Sequence, residues 1–313
     1  LDSDGSDRTV AGAMLTWLDQ DLQANNQDWV VVMWHHPAYS KGSHNSDSEF
    51  SMVEMRENAN PIIEAYGVDL VLSGHSHSYE RSYLIDQHYG LSTEIEQYMI
   101  LDDSDGTRDD GFSYRKPSLG MAGNEGAVYI TAGSSGQVSG GSLDHPAMQI
   151  SMSQLGSVVI DIDGDDLDAI FLQGDGQVTD TWGLTKGVTS IILFDGPRTA
   201  LEGELLSFEA YGQQPDGLEV PSYIWDFGDN SPIEVTAAVP HTYPVEGVYP
   251  MLLTVFDDQG ERVDRQVDID IINGPPIIDP VVVPAAIEGD FVQLFASAVD
   301  PSGDAFTFYW DMG

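Results

Sequence analysis

Five of the eight histidines in this 313-residue chain lie between residues 35 and 77. His35 and His36 follow directly on a short apolar run, and His75 and His77 come just after a second one. The chain has no cysteine, and imidazole ligands without thiolates suit Zn, Fe, Mn or Ni better than Ca or Mg. Because one small residue separates His75 from His77, this pair can serve two adjacent ions. The spacing therefore predicts a transition-metal site.

The elements around these histidines must bring the two apolar runs together. Helical spacing of apolar residues predicts a helix over residues 9–23, and a continuous apolar run predicts a strand over 29–34 that is buried on both faces. A second helix is predicted over 52–66, interrupted at Pro61, and a second strand over 68–72. Parallel strands in such a unit end at one edge of the sheet, where ligands collect. We expect both histidine pairs at that edge.

The rest of the first domain changes character twice. Residues 86–126 are polar and rich in Asp, Gly and Ser, which predicts a partly ordered excursion over the face of the domain. Short segments at 127–132, 156–161 and 168–172, separated by Gly-Asp turns, predict strands. We expect this domain to end near Trp182.

An internal repeat marks the second half of the chain. The string Trp225-Asp226-Phe227-Gly228-Asp229-Asn230 is echoed by Trp310-Asp311-Met312-Gly313. The two strings begin 85 residues apart. Many short strands in a repeat of about this length are typical of a β-sandwich module, with Trp225 in its core. The string resembles that of a PKD domain, the immunoglobulin-like module of many extracellular proteins. The resemblance predicts one PKD domain over 187–273 and the start of a second, truncated one over 275–313.

The histidine-bearing segments also resemble a known family. Residues 29–37, residues 39–44 and the string Gly74-His75-Ser76-His77-Ser78-Tyr79-Glu80-Arg81 are similar to the last two metal motifs of calcineurin-like metallophosphoesterases. More narrowly, they resemble the purple acid phosphatase branch, over about residues 1–183. The resemblance implies an α/β (α+β) metallophosphoesterase β-sandwich flanked by helices, followed by an all-β immunoglobulin-like PKD sandwich.

The resemblance implies roles for the histidines. His35 and His75 would bind one metal ion and His77 the other. His44 falls where the family has a histidine that faces the substrate, to hydrogen-bond the phosphoryl group or to protonate the leaving alcohol. The implied cofactors are two metal ions, Fe together with Zn, Mn or a second Fe.

Other residues near these motifs are expected to support the ligands without binding metal. They are expected to orient the histidine loop or to lie beside a ligand, and they are His36, Tyr39, Glu80 and Arg81. His88 and His145 match no motif, and we expect them to be surface or loop residues.

The family's earlier motifs are an Asp, a Gly-Asp-X-X-Tyr and a Gly-Asn-His, and none of them occurs before His35. We therefore expect the chain to be a fragment, with the N-terminal half of the metallophosphoesterase domain and its carboxylate ligands missing. On that expectation, the fragment alone has no appreciable phosphatase activity.

Composition excludes several function classes. The chain carries 52 acidic against 11 basic residues, a formal charge of −41, which repels nucleic acid and anionic lipid and rules out binding through a basic patch. No apolar run is long enough to span a membrane. A Ca²⁺ site in the PKD region has no supporting cluster of ligands. Extracellular matrix, carbohydrate and protein are the partner classes left open for that region.

The function implied is metal-assisted hydrolysis of a phosphate ester by part of a secreted multidomain protein, located outside the cell, at its surface or in a bacterial periplasm. One alternative is a surface adhesion or matrix-binding protein whose phosphoesterase-like domain has lost activity. Another is a phosphodiesterase or nucleotidase of the same superfamily.

Overall fold

The computed structural model describes residues 1–108, 113–282, 284–289, 291–300 and 302–311. The chain divides into two compact units. The first contains residues 1–194 together with 210–221 and 257–263, and the second contains the remainder. Among the described residues, no helix is long and apolar enough to cross a membrane.

The helices of the first unit are α1 (Ala13–Ala24), α2 (Phe50–Glu54) and α3 (Asn60–Tyr66), with a π-helical stretch at Met55–Ala59 between α2 and α3. The predicted helix over 9–23 is present but begins later, and its buried stripe consists of Met14, Leu15, Leu18 and Leu22. The predicted interruption at Pro61 is confirmed, since the π-helical stretch ends just before it. Gly67 then ends α3 with a φ of +77°, a conformation that glycine adopts without steric cost.

The strands of the first unit are β1 (Val31–Met33), β2 (Leu70–Ser73), β3 (Tyr79–Ser82), β4 (Leu84–Ile85), β5 (Ile100–Asp102), β6 (Tyr114–Lys116), β7 (Val128–Ala132), β8 (Met148–Met152), β9 (Gly156–Asp163), β10 (Asp166–Gln173) and β11 (Val178–Lys186). A five-stranded sheet has the order β1-β2-β7-β3-β8, and a four-stranded sheet has the order β6-β11-β10-β9. Strands β1 and β2 are parallel, with Met33 paired to Leu72. The predicted strand–helix–strand unit is confirmed.

Two cores hold these layers together. On one face of the five-stranded sheet, α1 and α3 pack against residues of β1, β2 and β7, such as Val32, Val71 and Tyr129. On the other face, β2, β3 and β7 pack against β10 and β11, where Phe171 and Trp182 are almost completely buried. The unit is therefore a two-sheet sandwich with helices on one side, as the resemblance implied.

The prediction that β1 is buried on both faces is wrong. Val32 is buried, but Val31 and Met33 are 42% and 63% exposed. Strand β1 lies at the edge of its sheet, and no residue of β1 belongs to the described core between the two sheets. A continuous apolar run does not distinguish a central strand from an edge strand whose second face is open.

Where the structure describes it, the remaining chain has strands and no helix. The strands are β12 (Ser190–Asp195), β13 (Thr199–Leu201), β14 (Leu206–Gln213), β15 (Ser222–Asp226), β16 (Ala238–His241), β17 (Gly247–Phe256), β18 (Arg262–Ile272), β19 (Ile277–Ile278) and β20 (Ala298–Val299). Trp225 is completely buried, packs with Phe208 and Phe227, and donates its indole N–H to the carbonyl of Thr236 at 2.7 Å. Its predicted core position is confirmed. Of the echoed string near the end of the chain, Met312 and Gly313 lie outside the described residues. The second PKD copy stays a prediction.

Candidate metal centre

The two histidine loops begin where β1 and β2 end. Pairing continues past the strands, because the Trp34 N–H donates to the carbonyl of Leu72 and the Gly74 N–H donates to the carbonyl of His35, both at 3.1 Å. His75 has a φ of +57°, a left-handed conformation that costs a residue with a side chain about 1–3 kcal/mol. The surrounding hydrogen bonds hold the loop in this conformation, which aims the His75 ring at His35.

His35 and His75 are brought together as the sequence predicted. Nε2 of His35 lies 3.1 Å from Nδ1 of His75. Two nitrogens that bind one metal ion at about 2.0–2.1 Å each lie about 3 Å apart, so this spacing fits a shared ion. Burial, together with the nearby rings of His44 and His35, lowers the pKa of His75 despite its contact with Glu49. A lowered pKa favours the neutral imidazole, which is the form that binds metal. Metal binding by this pair stays a prediction.

His36 lies against the same pair. Its ring centroid is 4.5 Å from that of His75, and ligand atoms of His35, His36 and His75 come within 4.8 Å of one another. Burial, His75 and His35 lower the pKa of His36. Ser3 holds this residue, since its hydroxyl oxygen accepts the N–H groups of His35 and His36 at 3.1 Å and lies 3.1 Å from Nδ1 of His36. Contact with a predicted ligand is the position expected for His36.

His77 is placed apart from this group. Its Nδ1 lies 3.2 Å from the Ser139 hydroxyl, and its N–H donates to the Ser43 hydroxyl at 2.9 Å. Among the described residues, His77 belongs to neither set of three metal-ligating side chains that converge within 4.8 Å. Binding of a second ion by His77 stays a prediction.

His44 reaches the site through a residue that the sequence analysis missed. Glu49 accepts from Nδ1 of His44 at 2.6 Å and from Nε2 of His75 at 2.5 Å. Burial raises the pKa of Glu49, but the two histidine hydrogen bonds outweigh burial and lower it overall. The sequence feature that could have indicated this contact is a carboxylate five residues after His44. Such a spacing has no fixed geometry in a loop, so only the folded chain shows the contact.

Two family models match this chain. Residues 3–79, which include all five clustered histidines, match calcineurin-like phosphoesterases, and residues 190–271 match the PKD domain. The chain joins a calcineurin-like phosphoesterase region to a PKD domain.

Individual relatives are similar over shorter stretches. An acid phosphatase of Aspergillus ficuum is 35% identical over 129 residues, covering 37% of this chain and 20% of its own length. Purple acid phosphatase 18 of Arabidopsis thaliana is 37% identical over 71 residues, covering 21% and 15%. Collagenase ColA of Bacillus cereus is 30% identical over 87 residues, covering 28% and 9%. The chain thus spans a fifth or less of each of these proteins.

Glu80 contacts the loops that it was expected to orient. It is fully buried and accepts from the Ser40 hydroxyl at 2.7 Å, the Lys41 N–H at 3.0 Å and the Ser78 hydroxyl at 2.6 Å. The three donors come from the His44 loop and the end of the His75 loop, so one carboxylate ties both together. At Gly42, an added Cβ would lie 2.1 Å from the Ser78 hydroxyl, and this close approach requires glycine.

Arg81 does not contact the histidine loop, contrary to expectation. It donates to both carboxylate oxygens of Asp180, at 2.7 and 2.9 Å, and to the Tyr114 hydroxyl at 2.8 Å. Successive side chains of a strand point to opposite faces. Arg81 therefore faces the four-stranded sheet of the first unit, while Glu80 faces the loops. Its role is to join β3 to β11.

Tyr39 is also turned away from the predicted ligands. It is 1% exposed, donates to the carbonyl of His88 and accepts from the Asn60 amide at 3.0 Å. Burial raises its pKa well above the usual value. Tyr39 is a core residue of the phosphoesterase region and supports the site through the fold.

His88 and His145 were expected to be surface or loop residues; both lie in loops, but neither is at the surface. They are 1% and 2% exposed, and both rings pack against Tyr39. Burial lowers the pKa of His88 to about 4 and that of His145 to about 3. Position in a loop did not predict exposure, because both side chains turn inward and pack against Tyr39.

Proposed function

We propose that the protein is a metal-dependent phosphoesterase that hydrolyses phosphate esters, in the manner of an acid phosphatase, at a binuclear metal centre. The observation that carries the proposal is the facing pair of imidazole nitrogens, Nε2 of His35 and Nδ1 of His75, 3.1 Å apart. They lie at the carboxyl ends of two parallel strands, inside the segment that matches calcineurin-like phosphoesterases.

The donor set fits a transition metal. His35 and His75 would hold one ion, and His77, which lies apart from them, would hold the other. The proposed pair is Fe with Zn, Mn or a second Fe, for which neutral imidazole is a suitable ligand. The chemistry that such a pair supplies when bound is activation of water and neutralisation of charge on the phosphoryl oxygens.

His44 is proposed to protonate the leaving alcohol. Its Nδ1 is engaged by Glu49 at 2.6 Å, so Nε2 is left to face a substrate. The ring is about one third exposed, which is the position needed by a group that meets a ligand from solvent. A proton held at a positioned imidazole typically speeds such a step by about 10²–10⁴-fold.

We propose that the phosphoesterase domain covers residues 1–183, that the PKD domain covers 187–273 and that a second PKD copy begins at 275. Secretion is proposed because the chain matches a PKD domain and is similar over 87 residues to part of a collagenase. The acidic surface fits a role for the PKD region in contacting matrix, carbohydrate or protein rather than nucleic acid.

The test is hydrolysis of p-nitrophenyl phosphate by the complete natural gene product, before and after metal removal and restoration. We expect activity that chelation abolishes and added metal restores. His75→Ala and His77→Ala should each lower bound metal and kcat by at least about 100-fold, since even losing a group behind a ligand costs about 10–100-fold. His241→Ala, in the PKD domain, is the control and should change neither.

Three outcomes separate the candidate functions. Activity on bis(p-nitrophenyl) phosphate without activity on the monoester would identify a phosphodiesterase. A folded, metal-loaded protein that hydrolyses neither ester would favour the adhesion or matrix-binding alternative. Full activity in the His75→Ala, His77→Ala double variant would overturn the ligand assignment.

A further inference from the structure

A single carboxylate joins the two loops of the candidate site. Glu49 sits at the start of α2, where its carbonyl accepts from the N–H groups of Met52 and Val53, both at 3.0 Å. Its two carboxylate oxygens are divided between His44 and His75. We propose that Glu49 is a positioning residue that sets the tautomers of both histidines and so couples metal binding to protonation of the leaving group. This inference rests on the proposed function.

The argument for His75 follows from which atom can donate. A carboxylate only accepts hydrogen bonds, so Nε2 of His75, 2.5 Å from Oε1 of Glu49, must carry the proton. Nδ1 is then left with a lone pair, and Nδ1 is the atom that faces Nε2 of His35. Histidines that bind metals usually donate their other ring N–H to a carboxylate or carbonyl. Glu49 thus selects the tautomer of His75 that can bind the ion shared with His35.

The same argument applies to His44 with the nitrogens exchanged. Nδ1 of His44 lies 2.6 Å from Oε2 of Glu49 and must carry a proton. Nε2 is thereby directed away from Glu49 and is free to hold the proton that a leaving alkoxide takes up. The His44 and His75 rings lie 3.8 Å apart between centroids, so a shift of one ring moves the other. One side chain therefore orients a metal ligand and a proton donor together.

A glutamine at this position cannot do both. Its amide has one oxygen that accepts and one nitrogen that donates. In Glu49→Gln, one imidazole keeps its partner and the other must present a lone pair to the amide. Either His75 then carries its proton on Nδ1, where it blocks the metal, or His44 loses the Nδ1 proton that holds its ring. The substitution keeps size and helix position, so the fold should survive.

The direct experiment reads the tautomers by long-range ¹H–¹⁵N NMR of histidine-labelled, metal-free chain. We expect the Nε2–H form of His75 and the Nδ1–H form of His44. In Glu49→Gln at least one of the two should change form. Glu57→Gln, at an exposed position on the following helical turn, is the matched control and should change neither. Unchanged tautomers at both histidines in Glu49→Gln would overturn the proposal.

Two further readouts separate positioning from a merely structural role. Zn²⁺ affinity of the chain should fall about 10–100-fold in Glu49→Gln. In the complete gene product, kcat should fall further for phenyl phosphate, whose leaving group is poor, than for p-nitrophenyl phosphate, whose leaving group is good. An equal fall for both esters, with unchanged Zn²⁺ affinity, would refute positioning. A wild type that hydrolyses no ester refutes the proposed function, while the NMR and Zn²⁺ measurements still decide the role of Glu49.

Discussion

The first compact unit holds two groups of histidines with opposite surroundings. His35, His44 and His75 lie at the sheet edge, are partly or fully accessible, and have ring nitrogens that face one another or Glu49. His88 and His145 are buried against Tyr39. Both nitrogens of His88 and Nε2 of His145 have no protein hydrogen-bond partner among the described residues. The same type of side chain is thus accessible at the candidate site in one group and buried in the core, with a lowered pKa, in the other.

The largest expected effect comes from truncating one histidine of each group to alanine and comparing the two variants. His35→Ala removes an exposed side chain, so unfolding free energy should change by less than about 0.5 kcal/mol, while Zn²⁺ affinity should fall more than about 100-fold, given that losses behind a ligand already cost about 10–100-fold. His145→Ala leaves a cavity and should cost about 2–4 kcal/mol with little change in affinity. Urea unfolding and Zn²⁺ titration measure the two effects. The reverse pattern would contradict the division into two groups.

The buried pair should make the protein sensitive to mild acid. Both pKa values, about 4 and about 3, lie below the ordinary value of 6.5, so below pH 6.5 the unfolded chain binds protons that the folded chain does not. The stability they contribute is present above pH 6.5 and is lost as pH falls, at up to about 1.4 kcal/mol per pH unit for each histidine. Between pH 6.5 and 5.5 the loss should reach about 2 kcal/mol for the pair.

Urea unfolding at several pH values measures this slope. The matched variant replaces both residues by glutamine, which is uncharged at every pH, and its slope should be flatter over the same range. An identical slope in the two proteins would show that these histidines do not titrate differently on unfolding.

The smallest effect concerns the backbone support of the accessible group. Ser3→Ala removes the oxygen that accepts the N–H groups of His35 and His36, and leaving these donors unpaired should cost about 1–2 kcal/mol. Zn²⁺ affinity should fall only a few-fold. Ser6→Ala, at a more exposed position in the same segment, should change neither quantity measurably. A change in affinity as large as that of His35→Ala would instead place Ser3 among the groups that act on the metal directly.

Local pattern predicted much of this fold. The helix at Ala13–Ala24 follows from its apolar period, the break before Pro61 from proline chemistry, and the parallel pairing of β1 and β2 from the strand–helix–strand order. The sequence pattern did not predict which face of a strand is covered. The run around Val31 looked buried on both sides, yet β1 is an edge strand with one open face.

By itself the sequence determined that two pairs of histidines lie close together, because residues directly after two parallel strands of one unit must meet at its edge. Only the tertiary structure decided which way the supporting side chains point. The contact of Glu49 with His75 spans 26 residues, that of Tyr39 with His88 spans 49 and that of Arg81 with Asp180 spans 99. Such contacts depend on how loops fold back and sheets pack, which neither local propensity nor spacing encodes.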